Sequence, residues 1–363
     1  MTHASATPHT ASTGPDEKPE RAGSRARRAL YRWFLLPLSW GALKLLILAI
    51  ERMTPAQAYL LARCFGWIFW AASRQHRRIV RRNLEIAYGS RFSEHERARI
   101  TREVFQHFLL TSFDILLIPR VARDGSWRNI LSLTDPQEAF IEELAAQHEP
   151  VAFHTAHLGS WEFAAGMAAF FNKRLDFVYR PIEHPQLDAE VRRLRTFFGN
   201  RVYAKEGALR GYAQTLREKG WLGVIADQNA GRRAAFLSFF GVPASTETSY
   251  FRLYQRFGPR VIAAFAIRKG FDFRFHVEGF FETSAHPDAD PLEEEMRLGQ
   301  WYLDCVEQVA RKYPAQYLWT HKRFASRPSK APSLYDGPLE PALQAQPTPP
   351  IPPRLRSKRR VAP

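Results

Sequence analysis

In the stretch Phe153 to Gly166, "FHTAHLGSWEFAAG", two histidines lie three apart, and a glutamate follows the second at a spacing of five. A histidine held by a carboxylate is a general base. The carboxylate accepts one imidazole N–H, fixes the tautomer and leaves the other ring nitrogen free to take a proton. Mid-helix, residues five apart point about 140° away from each other, so His157 and Glu162 can meet only across a loop. The residues between them permit one: Gly159 allows a tight turn and Ser160 is a natural N-cap. Glu162 then stands in the first turn of a helix, where the positive end of the dipole favours its ionised form. Such a pair suits deprotonation of an alcohol that attacks an acyl carbonyl. No serine or cysteine stands in a nucleophile elbow, which favours direct transfer over a covalent intermediate. Taken alone, the same residues also describe a strand, a turn and a capped helix with a solvated glutamate.

The elements that must position this pair are readable from the texture of the chain. From about residue 150, short apolar runs alternate with amphipathic segments. "VAFHT", "LDFVYR", "WLGVIAD", "RVIAAFAIRK" and "FRFHVEGFF" read as strands. "SWEFAAGMAAFF", "PQLDAEVRRLRTFFG", "ALRGYAQTLREKG", "TETSYFRLYQRFG" and "LEEEMRLGQWYLDCVEQVARKY" read as helices. This alternation predicts an α/β sandwich with a central, largely parallel sheet over residues 136–328. Asp227 ends a strand, where open α/β sheets gather their sites.

Residues 53–135 read as helical. "AQAYLLARCFGWIFWAASRQHRRIVRRNLEIAYG" is expected to be one helix packed on the core, and Ser93 with Glu96 forms a capping box for the next. Residues 1–27 and 329–363 are basic and rich in Ser, Thr or Pro, and read as disordered tails. Residues 28–52 contain "WFLLPLSWGALKLLILAI", eighteen residues with the single charge of Lys44. As a helix this run spans about 27 Å against a hydrocarbon core of about 30 Å, so it crosses with strain or lies in the interface. The long stretch before it, and Glu51 and Arg52 directly after it, argue for a retained anchor over a cleaved signal peptide. The basic flank is expected on the cytoplasmic side.

The 363 residues carry 52 Lys and Arg against 36 Asp and Glu, a net charge of +16 that attracts anionic lipid, an acidic protein or nucleic acid. Nucleic acid is disfavoured, because the arginines do not interleave with stacking aromatics and an apolar anchor has no use there. The two cysteines, Cys64 and Cys305, exclude a disulfide scaffold, and neither has metal-ligand spacing around it. No metal or organic cofactor is called for, since there is no ligand cluster and no phosphate-cradling glycine loop.

In order along the chain, "HLGSWEFAAG", "VYRPIEHPQLDAEVRRLR", "LGVIADQNAG", "SFFGVPAST" and "YLWTHKRFASRP" closely resemble the motifs of the bacterial lipid A biosynthesis acyltransferase family. That family is similar to the wider lysophospholipid and glycerolipid acyltransferases, and the resemblance covers about residues 30 to 328. It implies a membrane-bound enzyme at the cytoplasmic side of the bacterial inner membrane. Such an enzyme moves a fatty acyl chain from a thioester, usually on acyl carrier protein, to a hydroxyl of a membrane lipid precursor.

By the family's pattern His157 is the general base and Glu162 its orienting partner. Arg193 falls where the family has a functional arginine, able to hold a phosphate or a developing oxyanion. Asp227 falls where it has an aspartate, placed to position the acceptor hydroxyl or to bind Arg193. Arg180 belongs to "YRP", Asn229 and Gly231 shape the loop after Asp227, and "SFFGVPAST" offers either an acyl-groove lining or, for Phe239 and Phe240, core. The acceptor stays open between a lipid A precursor and a lysophospholipid, aminolipid or other glycolipid. "GSWE" and "IADQNAG" depart from the best-known lauroyl enzymes.

Overall fold

A computed structural model describes residues 36–123, 125–329 and 331–339. The expected tail at 1–27, the part of the expected tail 329–363 from 340 onward, and the first residues of the expected anchor lie outside these. Residues 331–339 of that second tail are packed on the core instead of disordered: Leu334 and Leu339 are buried, and Tyr335 OH donates to Asn83 Oδ1 at 2.5 Å. The chain divides into two compact units, Met1–Leu48 and Ala49–Pro363. Helix α1, Leu36–Arg52, carries the described part of the first. It has Pro37 in its first turn, where a missing N–H costs nothing, and Lys44 sits 5.8 Å over the Trp40 ring.

The second unit begins with three helices: α2 (Pro55–Ala72), α3 (Arg74–Tyr88) and α4 (Glu94–Arg123). The sequence reading joined α2 and α3 into one helix; the chain breaks between them at Ser73. There the Arg77 guanidinium donates to the carbonyls of Trp70 and Ala71, closing off the end of α2, and Ser73 Oγ lies 2.7 Å from His76 Nδ1. Local capping bonds outcompete one more helical turn. The box before α4 forms as read, with Ser93 N to Glu96 Oε2 at 2.9 Å and Glu96 N to Ser93 Oγ at 3.3 Å. Among the described residues, the stretch Glu94–Val121 is long and apolar enough to cross a membrane, and 61% of its apolar window is buried within the protein. Such burial is that of a core helix.

The sheet has seven strands: β1 (Leu131–Ser132), β2 (Val151–Thr155), β3 (Leu175–Tyr179), β4 (Val202–Ala204), β5 (Trp221–Ile225), β8 (Arg260–Arg268) and β9 (Phe275–Thr283). Their order is β1-β9-β8-β2-β5-β3-β4, and every pairing is parallel except β8 with β9. Strands β6 (Ala235–Phe239) and β7 (Val242–Thr246) form a separate antiparallel hairpin. The strands are linked or covered by α5 (Asp135–Ala146), α6 (Trp161–Phe170), α7 (Pro185–Arg195), α8 (Ala208–Arg217), α9 (Arg252–Phe257) and α10 (Pro291–Lys312). An α/β architecture with a mostly parallel central sheet is therefore the observed one.

The short edge strands β1 and β4 and the β6–β7 hairpin escaped the sequence reading. The hairpin turns at Phe240 and Gly241, both left-handed (φ 52° and 69°), as a two-residue loop of this hand requires. Phe240 tolerates that conformation because its N–H donates to the Glu307 carboxylate at 2.5 Å and its ring is buried under the Arg311 guanidinium. Phe239 and Phe240 are thus core residues (0% and 1% exposed), the core alternative read for them within "SFFGVPAST". The segment "TETSYFRLYQRFG" is helical only from Ser249, because Val242–Thr246 is already strand.

Candidate active site

Strand β2 leaves the sheet at Thr155, and helix α6 begins at Trp161. The turn between them is fixed at every step. Gly159 has φ +65°, and a Cβ there would lie 2.2 Å from the Ala266 carbonyl oxygen, so only glycine fits. Ser160 donates its N–H to that same carbonyl (2.8 Å), and its Oγ accepts from Phe163 N (3.2 Å), the N-cap expected from sequence. The Ser160 hydroxyl in turn donates to the buried Asp114 carboxylate at 2.5 Å. Asp114 also binds Arg268 and Tyr59 in a fully buried cluster behind the turn.

His157, held on this turn, meets Asp227 at two points. Its backbone N–H donates to Asp227 Oδ2 at 3.0 Å, and its Nδ1 lies 2.8 Å from Asp227 Oδ1. Asp227 is 1% exposed. Burial pushes its carboxyl upward, but attraction to His157 and Arg323 and the hydrogen bonds from His157 bring it below the ordinary carboxylate range. It is therefore ionised, Nδ1 carries the proton, and Nε2 is left as the basic nitrogen. Gln228 Nε2 stands 3.3 Å from that atom.

Glu162 does not supply the carboxylate of this pair, contrary to the sequence reading. Its side chain turns to Arg195, whose Nε and Nη2 donate to it at 3.1 and 2.5 Å, with Trp161 Nε1 adding a third bond at 3.2 Å. Arg193 is not in the site either. It pairs with Glu190 at 2.7 Å and lies 3.8 Å from Glu51, with half of its side chain exposed. Two residues along a helix are about 200° apart, so Arg193 and Arg195 face opposite ways. Asp227 accordingly binds His157, not Arg193. Arg180 stands exposed at the rim.

A cavity of about 920 Å³ opens beside these groups. Its polar end carries His157, Glu162, Arg180, Arg195 and His321; its apolar walls come from strands β2, β3 and β5 and from helix α6. Ala164 and Ala168 on α6 and Gly223 at the centre of β5 keep the space open, and Trp221 stands at the far end of β5. Trp221 pairs with Val151, six residues before His157, which at about 3.3 Å per residue gives a depth of about 20 Å, the scale of a fatty acyl chain. A positioned base at the mouth of an apolar slot can deprotonate a hydroxyl beside a bound acyl group.

Residues 29–326 match the model of the bacterial lipid A biosynthesis acyltransferase family. The chain belongs to that family. It is 28% identical over 317 residues to a lipid A biosynthesis acyltransferase of Haemophilus influenzae, covering 84% of this chain and 96% of that protein. It is 24% identical over 306 residues to the lipid A biosynthesis lauroyltransferase of Escherichia coli, covering 82% of this chain and 94% of the relative. The myristoyltransferase of the same organism is 24% identical over 309 residues, with 81% and 90% covered. The protein is thus an acyltransferase.

Three features of this acyltransferase escaped the sequence reading. Arg195 carried a signal: it follows the apolar stripe Leu187, Val191 and Leu194 on α7, which marks the inward face of that helix. Gln228 stood in the "ADQ" motif without a role. The third is the segment after α10, which straps the site from outside the sheet. Leu318 N donates to the His157 carbonyl (2.9 Å), and Tyr317 OH to the Asp227 carbonyl (3.2 Å). Asn229 exchanges two hydrogen bonds with Ser326.

His321 Nε2 accepts from Asn229 N at 3.0 Å, and burial, partly offset by Asp227, holds its pKa below the ordinary value. His321 is therefore neutral in the near-neutral range and fixes the loop as an acceptor. Gly231, at φ +95°, turns the chain out of this loop. Among the described residues, no group of three or more His, Cys, Asp or Glu is placed to hold a metal ion.

Proposed function

We propose that this protein transfers a fatty acyl chain from a thioester, carried by acyl carrier protein, to a hydroxyl of a lipid A precursor. His157 Nε2 takes the proton of the acceptor hydroxyl as its oxygen attacks the thioester carbonyl. The tetrahedral intermediate collapses with cleavage of the carbon–sulfur bond, and the departing thiolate receives that proton back from Nε2. Asp227 holds the Nδ1–H and stabilises the imidazolium while it exists. The acyl chain occupies the apolar slot between the sheet and α6. Arg195, kept in place by Glu162, faces the reacting end with Arg180, where guanidinium groups suit the phosphate of the acceptor and the developing oxyanion. Helix α1 anchors the enzyme in the inner membrane, with the catalytic unit toward the cytoplasm.

The observation that carries this reading is the two-point clamp of His157 by buried Asp227 at the polar end of a 920 Å³ apolar cavity. The test is transfer from labelled acyl carrier protein by the detergent-solubilised enzyme, beside His157→Ala. Product formed by the wild type and lost by a folded His157→Ala supports it. Undiminished activity in His157→Ala overturns the mechanism, and transfer to a lysophospholipid but not to the lipid A precursor overturns the acceptor.

A further inference from the structure

Helix α2 exposes a face that water-soluble helices do not carry. Of its 18 residues one is charged, Arg63, and that guanidinium lies 4.4 Å over the Phe271 ring. The inner face holds Ala58, Tyr59, Ala62 and Gly66, all buried. Gly66 allows α4 to come so close that a Cβ would stand 2.7 Å from Gln106 Cα. The outer face carries Leu60, Trp67 and Ile68, exposed by 63%, 53% and 54%, with Ala56, Cys64 and Ala71 between them. At 100° per residue these six fall within an arc of about 120°, an apolar stripe interrupted only in the first turn by exposed Gln57, whose amide oxygen accepts from Thr54 N at 3.0 Å. Scattered exposed apolar side chains are ordinary, but a contiguous stripe marks an interface.

The character of the stripe and its surroundings points to what covers it. It bears no charge, and its side-chain hydrogen-bond donors are the Gln57 amide at its N-terminal end, the Cys64 thiol and the Trp67 N–H, an indole donor of the kind that settles at headgroup level. The chain then turns directly into α3, whose Arg74 and Arg78 are exposed. Trp70, at the junction, is flanked by the guanidinium groups of Arg77 and Arg102 at 5.3 and 5.7 Å. An apolar stripe ending in basic residues fits a bilayer surface carrying anionic phosphate. Because its other face is packed against α4, α2 lies along such a surface and does not cross it. We propose that the outer face of α2 rests in the interface of an anionic bilayer as a second membrane contact, separate from α1.

Cys64 lies within the stripe and is exposed while Cys305 is buried, so the full-length protein can be labelled there with bimane and reconstituted into phosphatidylethanolamine–phosphatidylglycerol vesicles. The expected result is quenching by nitroxide attached near the headgroup end of the acyl chains. Protection from aqueous iodide should be several-fold greater than for the same label at Glu142→Cys in a Cys64→Ser background. Leaving out phosphatidylglycerol should lower that protection several-fold. Trp67→Glu with Ile68→Glu should restore iodide access and leave acyl transfer in detergent unchanged. Free iodide access in the wild type overturns the proposal, and so does protection from both quenchers, which would mark a protein contact. Protection indifferent to phosphatidylglycerol overturns the anionic part.

Discussion

Replacing Asp227 by Asn separates the two carboxylates that could serve His157. The Nδ1 to Oδ1 distance is 2.8 Å and the carboxylate is buried. With charge centres about 4 Å apart and an effective dielectric of about 20, the carboxylate stabilises the imidazolium by about 4 kcal/mol. That interaction is absent from the ground state, where the ring is neutral, so its loss falls on kcat, by about a thousandfold. The clamp uses both carboxylate oxygens, and the carboxamide puts an NH2 donor in place of one of them, facing an N–H, so one arm of the clamp breaks. The assay is steady-state transfer from labelled acyl carrier protein, with kcat and KM resolved and thermal unfolding run beside it. Glu162→Gln is the companion variant; by loosening Arg195 it should raise KM and leave kcat within about tenfold of wild type. A folded Asp227→Asn enzyme with wild-type kcat, or a thousandfold kcat loss confined to Glu162→Gln, would refute the assignment.

Arg195→Ala should destabilise the fold by about 3–5 kcal/mol in denaturant titrations, because it strands the Glu162 carboxylate, whose side chain is only 10% exposed; Glu162→Gln added to it should recover stability but not activity. Gly159→Ala should cost more than about 2 kcal/mol, from the left-handed φ and the contact with the Ala266 carbonyl, and should lower expression of folded enzyme. Gly223→Val, whose Cβ would stand 3.0 Å from the Leu175 side chain, should narrow the slot and shift donor preference toward shorter acyl chains in competition assays read by mass spectrometry. His154 is completely buried and its pKa is pushed down to about 3, so the native state keeps it neutral while the unfolded chain takes a proton below about pH 6.5. Its contribution is intact above that pH and is lost on acidification, by about 2 kcal/mol at pH 5; His154→Phe, which keeps the stack on Phe251, should abolish that part of the pH dependence.

Much of the frame was readable because its signals are local. Gly159 and Ser160 declared a turn and a cap, and both perform those roles. The strands "VAFHT" and "WLGVIAD" stood out as apolar runs bounded by breakers, and they became neighbours. What stayed hidden depends on distance in sequence. The choice between Arg193 and Arg195 is a choice of helix face, which their identical chemistry does not make and which only the apolar stripe Leu187, Val191 and Leu194 signals. Within the strap from Tyr317 to Ser326, the bond to the His157 carbonyl comes from the backbone N–H of Leu318, so that contact leaves no mark on residue type. Two-residue β1 and three-residue β4 are too short to show a period.

The misplaced partner of His157 has the same origin, and the sheet explains it. Strands β2 and β5 pair in parallel register with Thr155 opposite Ile225. Continued two residues beyond the strand ends, that register sets 157 against 227. Neighbouring strands are about 4.8 Å apart, which an imidazole and a carboxylate span easily. Glu162, by contrast, follows a turn that sends α6 back along the sheet, and its side chain meets α7, where Arg195 waits. Nearness in sequence favoured Glu162, whereas nearness across a parallel pair favours Asp227, and catalytic groups at the carboxyl ends of adjacent strands are what this sheet topology brings together. Chain motifs beginning and ending the two strands therefore form one functional unit. A shift of β5 against β2 by even one residue would part His157 from Asp227 while leaving every local motif intact.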